Sequence, residues 1–450
     1  MRAPRVEVWR YRALRYGFLA YDWIRRRFTP AGMLALGAAA VSAGLGLDTE
    51  QSTDYQAFTF LFCLLSLAML WRHLFRPRLL LGRNLPRFGT AGEAFPYAIT
   101  ARNLGSRVER GLSVREDADE PVPTLAEFAA EPGSSSRWAR LVRWTGFDRY
   151  ALLRRRQRVS GLREIPLPDL PGSDSCEVSA ELVPPRRGKL LLRGLEVIRP
   201  DPVGIFKAFR RERSGATVLV LPKRYPVPRL TLPGCRRYQQ GGVALSSLVG
   251  ESQEFVSLRD YRPGDPIRRI HWKTWARTGK PVVKEYQDEY FVRHALALDT
   301  FLPAGGPRLE EAVSVAASFA CSVLTQDSLL DLLFVGAEAY CFTAGRGLGG
   351  PDRILEVLAC VEPCRDKPFD ALAYSVLRRR ATLSGCICVL TDLDEPRREF
   401  LSRMAAVGLE CRSFLVTDGD APPEAASVPG LRVLQVGKVA EGLVAEATRP

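Results

Sequence analysis

His294-Ala-Leu-Ala-Leu-Asp299 and, further along, Cys386-Ile-Cys-Val-Leu-Thr-Asp392 are short apolar runs that each close on an aspartate. Strands covered on both faces read as continuous apolar runs of about four to eight residues, the texture of a buried parallel sheet. Working outward from these two, the pattern predicts strands at 294–298, 329–335, 339–342, 386–390, 410–416 and 431–436. Helical spacing between them predicts helices at 309–324, 352–359, 369–383, 397–407 and 439–447. Such strand–helix alternation makes 291–450 an α/β domain with a mostly parallel sheet.

Upstream the texture differs. From 77 to 230 short alternating runs are separated by Gly, Pro and Asn, which predicts an antiparallel β-sandwich. Phe95-Pro-Tyr-Ala-Ile-Thr-Ala101 alternates large and small before a turn at Asn103-Leu-Gly105, and Pro200-Asp-Pro-Val-Gly204 separates two further strands. A charged insertion at about 120–164, with Arg154, Arg155, Arg156 and Arg158, reads as a solvated loop or as a contact for anionic lipid headgroups.

Residues 1–76 hold two apolar runs, 31–47 and 57–71, joined by Asp48-Thr-Glu-Gln-Ser-Thr-Asp54. Arginines crowd both outer flanks, from Arg2 to Arg27 and from Arg72 to Arg87. By the positive-inside rule this is a transmembrane α-hairpin of the plasma membrane with both flanks and the bulk of the chain in the cytoplasm. Trp23 and Trp71 suit the interface.

The 450 residues carry 64 Lys and Arg against 50 Asp and Glu, a formal charge of +14. That excess favours anionic partners, although arginine-rich chains are often basic without binding any. Ten cysteines show no C-x-x-C spacing, and three histidines are too few for a His-rich metal centre. Cys386 and Cys388 point to one face of a strand and read as small buried apolar residues.

The densest stretch lies at 231–290, centred on Arg259-Asp-Tyr-Arg-Pro-Gly-Asp-Pro-Ile-Arg-Arg-Ile-His-Trp-Lys-Thr-Trp-Ala-Arg-Thr-Gly279. Pro263-Gly264 sets a turn and Asp265 is placed to cap a helical segment at 266–275. Arg259, Arg268 and Arg277 can fork onto carboxylates such as Asp260, Asp265 and Glu285, with Phe255, Tyr261, Trp272 and Trp275 as packing surface. Arg and Lys beside Trp272 and Trp275 also suit nucleic acid, but Asp260, Asp265, Glu285, Asp288 and Glu289 argue for internal pairing instead. His271 is the acid–base candidate, yet a lone histidine between Arg269 and Trp272 reads as a packed or surface residue, and there is no Walker-type loop. The residues therefore predict a binding protein and no enzyme.

Arg259, Tyr261, Pro263, Gly264, Asp265, Arg268, Ile270, Trp272, Ala276, Arg277 and Gly279 together resemble the signature of the bacterial and archaeal family called domain of unknown function 58. Arg187-Gly188 and Asp201-Pro-Val-Gly-Ile-Phe206 are similar to further phrases of that family. The resemblance implies an anchor hairpin, a β-sandwich and a C-terminal von Willebrand factor A-like domain. It also implies an assembly or adaptor role with a MoxR-type AAA+ ATPase as partner. In von Willebrand factor A domains a divalent cation is held by an Asp-x-Ser-x-Ser loop, a Thr and a second Asp. Asp299 and Asp392 match the acidic positions, but Phe301 and Pro303 replace the serines, so a Mg²⁺ site would be degenerate and no cofactor is expected. Both aspartates read as helix caps, with Asp299→Ala expected to matter little and Trp272→Ala or Arg277→Ala expected to destroy the docking surface.

Overall fold

The computed structural model describes residues 5–45, 53–71, 73–119, 122–130, 145–227, 253–288, 293–303, 305–324, 329–345 and 350–447. The side chains of 253–256 and 285–288 are outside that description, as are the loop positions 48–52, so the expectations for Phe255, Glu285 and most of the acidic connection fall outside the described residues. The chain divides into two compact units, Met1–Pro222 and Lys223–Pro450.

The first unit opens with three helices, α1 (Arg5–Arg27), α2 (Pro30–Leu45) and α3 (Thr53–Trp71). α2 begins where its sequence dictates: Pro30 is the first helical residue, and the Thr29 hydroxyl accepts the Gly32 N–H at 3.0 Å. The same hydroxyl donates to the Gly204 carbonyl, tying the helix start to the 201–206 turn. Asp201 shapes that turn by accepting the N–H groups of Ile205 and Phe206 at 2.6 and 3.1 Å. Phe206 then meets Phe28 edge-on at 5.2 Å. A β-carbon on Gly32 would run into the Ile205 carbonyl, so only glycine permits this approach.

α2 and α3 form the expected helical hairpin, but a membrane crossing by it finds no support in the lengths and composition of the described helices. Among the described residues no helix is long and apolar enough to cross a membrane. The 16 residues of α2 rise about 24 Å, short of a hydrocarbon core of about 30 Å, and the first turn of α3 carries polar Asp54 and Gln56. The pair is nevertheless apolar on its outer side, with Leu34 76% and Phe60 67% exposed.

α1 is a second difference, because the arginine-rich arm gives no strong apolar stripe. Its Tyr11, Leu14 and Phe18 nonetheless fall at helical spacing and pack on Phe128, Tyr150 and Leu153. Those partners lie in α4 (Leu125–Ala130) and α5 (Phe147–Gln157), inside the charged insertion. Arg154 pairs with Asp22 of α1 at 2.7 Å, so at least this part of the insertion is packed structure and not a solvated loop.

The β-rich middle comprises β1 (Leu79–Asn84), β2 (Phe88–Thr90), β3 (Phe95–Asn103), β4 (Ser113–Ala118), β5 (Ile165–Pro166), β6 (Ser175–Leu182), β7 (Gly188–Pro200), β8 (Lys207–Glu212) and β9 (Ala216–Leu221). One antiparallel sheet has the order β1-β3-β6; the other runs β2-β9-β7-β4-β5, with β8 also on β7 and β2 parallel to β9. Ile99, Ala101 and Leu182 of the first share a core with Val114, Leu195 and Val218 of the second. The Asn103 side chain fixes the predicted turn, accepting the Gly105 N–H at 2.9 Å and donating to the carbonyls of Arg107, Leu170 and Pro171.

The second unit begins with an antiparallel pair, β10 (Gln253–Asp260) and β11 (Val282–Asp288), bridged by the short helix α6 (Trp272–Thr278). The helix predicted at 266–275 is thus displaced. A single 3₁₀ turn at Ile267–Arg269 gives way to Ile270, which bridges to Val283 as a strand residue, before α6 starts.

A six-stranded sheet follows, built from β12 (Arg293–Leu298), β13 (Leu329–Val335), β14 (Ala339–Ala344), β15 (Gly385–Leu390), β16 (Cys411–Thr417) and β17 (Leu431–Gln435). Its order is β14-β13-β12-β15-β16-β17, parallel throughout except for the β13–β14 pair. α7 (Pro307–Leu324), α8 (Pro351–Ala359), α9 (Asp370–Leu377), α10 (Glu395–Ala406) and α11 (Val439–Ala447) complete it. The predicted helix 369–383 stops at Leu377, ahead of Arg378-Arg-Arg380. A core of Ala295, Ala297, Leu333, Cys388, Phe369 and Phe400 explains why β12 and β15 read as apolar runs, while β13 is interrupted by buried Asp331, which pairs with Arg293 at 2.9 Å.

Candidate functional site

Two places in the second unit gather the residues that the sequence singled out. The first is the carboxyl edge of the central strands. The connections leave β12 for β13 on one side and reach β15 on the other, and such a switch point opens a crevice beyond the strand ends. Asp299 follows β12 there, and Thr391 follows β15.

Asp299 is wholly buried, and its carboxylate receives donors on both oxygens. Phe301 N–H reaches Oδ1 at 3.0 Å; Thr391 supplies its N–H at 2.9 Å and its hydroxyl at 2.8 Å to Oδ2. Arg397 completes the set with a fork, Nε to Oδ2 at 2.7 Å and Nη2 to Oδ1 at 3.1 Å. The guanidinium is itself 5% exposed and lies over the Phe369 ring. Burial opposes the Arg397 cation, but the hydrogen bond and charge of Asp299, then those of Asp394, outweigh it and raise its pKa.

The expectation that both aspartates cap helices is therefore corrected. Asp299 caps no helix; it is one half of a buried ion pair. Asp394, not Asp392, caps α10, accepting the Arg397 N–H at 3.3 Å, while exposed Asp392 accepts only the N–H of Leu393 among the bonds seen. A hard cation would need free carboxylate lone pairs and further oxygen ligands. The Asp299 oxygens are committed to N–H and O–H donors, and Phe301 and Pro303 offer no side-chain oxygen, so the donor set does not fit Mg²⁺.

The second place is the β10–β11 hairpin. Arg259 forks onto Asp265, Nη1 to Oδ2 at 2.8 Å and Nη2 to Oδ1 at 2.7 Å. Oδ2 also accepts the Arg262 N–H at 2.9 Å, so Asp265 closes the turn behind it instead of capping a helix ahead. Gly264 has φ of 105°, a conformation that excludes side chains and explains the Pro-Gly pair. The Arg259 fork, then the Arg262 N–H, holds the Asp265 carboxyl down at about 2. Tyr261 joins the strands by donating its N–H to the Pro281 carbonyl at 3.0 Å. Gly279, with φ of 68°, ends α6 by donating to Trp275 at 2.9 Å.

Trp272 points outward, 58% exposed, and stacks on Trp275 with ring centres 5.2 Å apart. Arg268, Lys273 and Arg277 are exposed on the same short segment. His271 directs Nδ1 to the Thr274 hydroxyl at 2.6 Å.

The sequence from β10 to β16 has relatives. Residues 257–416 match a family described as "Protein of unknown function DUF58". This stretch is a DUF58 domain. The chain is also a distant homologue of the "Uncharacterized protein YeaD" of Bacillus subtilis (strain 168), 29% identical over 175 residues. That match spans 38% of this chain and 42% of the relative's length. Among solved structures, the CARDB domain of a Pyrococcus furiosus protein aligns with 32% of this chain and 94% of its own, at 10% identity and a TM-score of 0.15, too slight to inform the fold. Both the Arg259–Asp265 fork and the Asp299–Arg397 pair lie within the DUF58 domain.

Arg397 was missed by reading the sequence, yet a signal was present. Asp394-Glu-Pro-Arg397 opens a helix with a cap, a proline and then an arginine. A cation in a first helical turn opposes the helix dipole, which points to a specific anion within its reach.

Proposed function

We propose that the protein is a membrane-associated assembly or adaptor protein, and no enzyme, whose DUF58 domain docks a MoxR-type AAA+ ATPase at the cytoplasmic face of the inner membrane. The observation that carries this reading is the exposed Trp272–Trp275 stack, flanked by Arg268, Lys273 and Arg277, on a hairpin whose turn is held by its own Arg259–Asp265 fork. A solvent-facing tryptophan among cations is suited to a partner's pocket with an acidic rim. The α/β sheet supports a von Willebrand factor A-like scaffold, with its one antiparallel strand, β14, at the edge. For the anchor, support comes from the outward apolar residues of α2 and α3, which only lipid or another apolar surface would cover.

Affinity capture of the detergent-solubilised full-length protein, with and without ATP, tests the reading. Nucleotide-dependent recovery of a AAA+ ATPase is the expected result, lost with Trp272→Ala and weakened with Arg277→Ala. Because both side chains are exposed, these variants keep their circular dichroism spectrum. Failure to recover any AAA+ ATPase overturns the reading.

A second reading has one specific observation behind it. A cavity of about 390 Å³ in the first unit, at the foot of α2 beside Phe28 and Met33, is lined by Arg25, Arg26, Arg158, Arg163 and Lys207, and also by Asp22, Glu116, Asp117 and Glu164. It favours an anionic lipid headgroup, and salt-sensitive sedimentation with anionic but not neutral vesicles would support it.

A further inference from the structure

Cys386 and Cys388 are two residues apart in β15 and share one face, and β16 runs parallel with Cys411 opposite Cys386 and Ser413 opposite Cys388. The register thus sets three thiols and a hydroxyl in a block on the sheet face covered by α9 and α10. The Cys386 and Cys388 sulfurs lie 3.5 Å apart, those of Cys388 and Cys411 3.1 Å, and all three within 4.8 Å of one another. The Ser413 hydroxyl is 3.3 Å from the Cys411 sulfur. Cys386 and Cys388 are fully buried, whereas Cys411, at the start of β16, is partly exposed and provides an approach.

We propose that Cys386, Cys388 and Cys411 form a thiolate site for a thiophilic d¹⁰ metal ion, zinc(II) or copper(I). Metal–sulfur bonds of about 2.3 Å set tetrahedral or trigonal sulfurs about 3.8–4.0 Å apart, so the edges of 3.5 and 3.1 Å need open by less than about 1 Å, within reach of small side-chain rotations. Thiolate ligands select soft or borderline cations over Mg²⁺ or Ca²⁺. Thiols are weak hydrogen-bond donors and acceptors, so three of them facing one another gain little from each other that apolar side chains would not supply. A cation changes that balance: each coordinating thiol gives up its proton to solvent, and zinc(II) with three thiolates leaves one net negative charge beside the Ser413 hydroxyl, which donates to Cys411 or fills a fourth position. No other described residues place three cysteine, histidine or carboxylate ligands so close together.

The test uses the reduced full-length protein in detergent, freed of metal, titrated with zinc(II) against a chromophoric chelator and, separately, with copper(I) under anaerobic conditions. One equivalent is expected to bind per chain with release of protons, and cadmium(II) as a probe should produce a sulfur-to-metal charge-transfer band. Cys388→Ser and Cys411→Ser should each weaken binding by more than the roughly 10- to 100-fold that losing an outer partner costs, and Ser413→Ala by about that amount. Exposed Cys360→Ser should change nothing. If Cys388→Ser does not fold, the partly exposed Cys411→Ser and the cadmium(II) band carry the decision. Preference for zinc(II) or for copper(I) identifies the ion. Absence of stoichiometric binding of either, or equal binding by the Cys411→Ser chain, overturns the proposal.

Discussion

Among the arginine–aspartate forks of the DUF58 domain, two have nearly the same bond lengths and opposite circumstances. Arg259 and Asp265 are six positions apart, meet across one turn, and their side chains are 36% and 15% exposed. Arg397 and Asp299 are 98 positions apart, join α10 to the end of β12, and are 5% and 0% exposed. Identical chemistry therefore does different work. Water screens the first fork, so its function is local geometry. In the second, each ion removed from water depends on the other, and the pair locks the switch point at the end of β12.

Asp299→Ala should have the largest effect of any change at either fork. It takes the fully buried partner from the Arg397 guanidinium and leaves only the half-exposed Asp394 at 2.7 Å, and breaking one partner of a buried pair costs about 3–5 kcal/mol. Urea titration followed by signals from the α/β unit should show this as a large drop in midpoint, replacing the expectation that Asp299 matters little. Asp299→Leu with Arg397→Met removes both charges and should recover most of the loss. A single Asp299→Ala change within a few tenths of a kcal/mol of the unmodified chain would erase the contrast between the forks.

The contrast also explains what could be read from the chain. Central strands were legible because burial on both faces leaves a run such as Leu296-Ala-Leu298 no polar choices, and the turn at Pro263-Gly264 was legible because its partners are neighbours. Arg259–Asp265 belongs to that local class. Arg397 was not legible as the partner of Asp299, and Cys411 was not legible as the neighbour of Cys388, because both depend on which strands adjoin, a property of topology. The α1 helix shows a third case. Its stripe of Tyr11, Leu14 and Phe18 was present but narrow, and the surrounding arginines hid it. At the hairpin of α2 and α3 the apolar composition and the two short runs were legible, while a membrane crossing did not follow from them.

Arg259→Ala should leave the global urea midpoint of the α/β unit almost unmoved. Its consequence should be confined to β10, the turn and β11, where amide hydrogen exchange should quicken as the turn loses the fork that holds Asp265. Added salt should narrow the gap between this variant and the unmodified chain, since an exposed pair is screened. The Asp299 variant should show no such narrowing. A loss at Arg259 as large as that at Asp299 would mean that the hairpin is buried by something outside the described residues.

The smallest effect expected is acid sensitivity of the hairpin. The Asp265 carboxyl is held at about 2 in the folded chain, against about 3.9 for an ordinary aspartate. A depressed carboxyl contributes stability that is fully present above the ordinary value and is lost as pH falls from about 4 through about 2, because over that window the unfolded chain takes up the proton and the folded chain does not. Carbon-detected NMR titration of the Asp265 side chain should therefore give a midpoint near 2, and Arg259→Ala should move it up towards the ordinary value, leaving the smaller contribution of the Arg262 N–H. The local opening of the turn should follow the same window. A midpoint near 4 in the unmodified chain would show that the fork does not persist in solution, and the two arginine–aspartate pairs would then differ in existence as well as in strength.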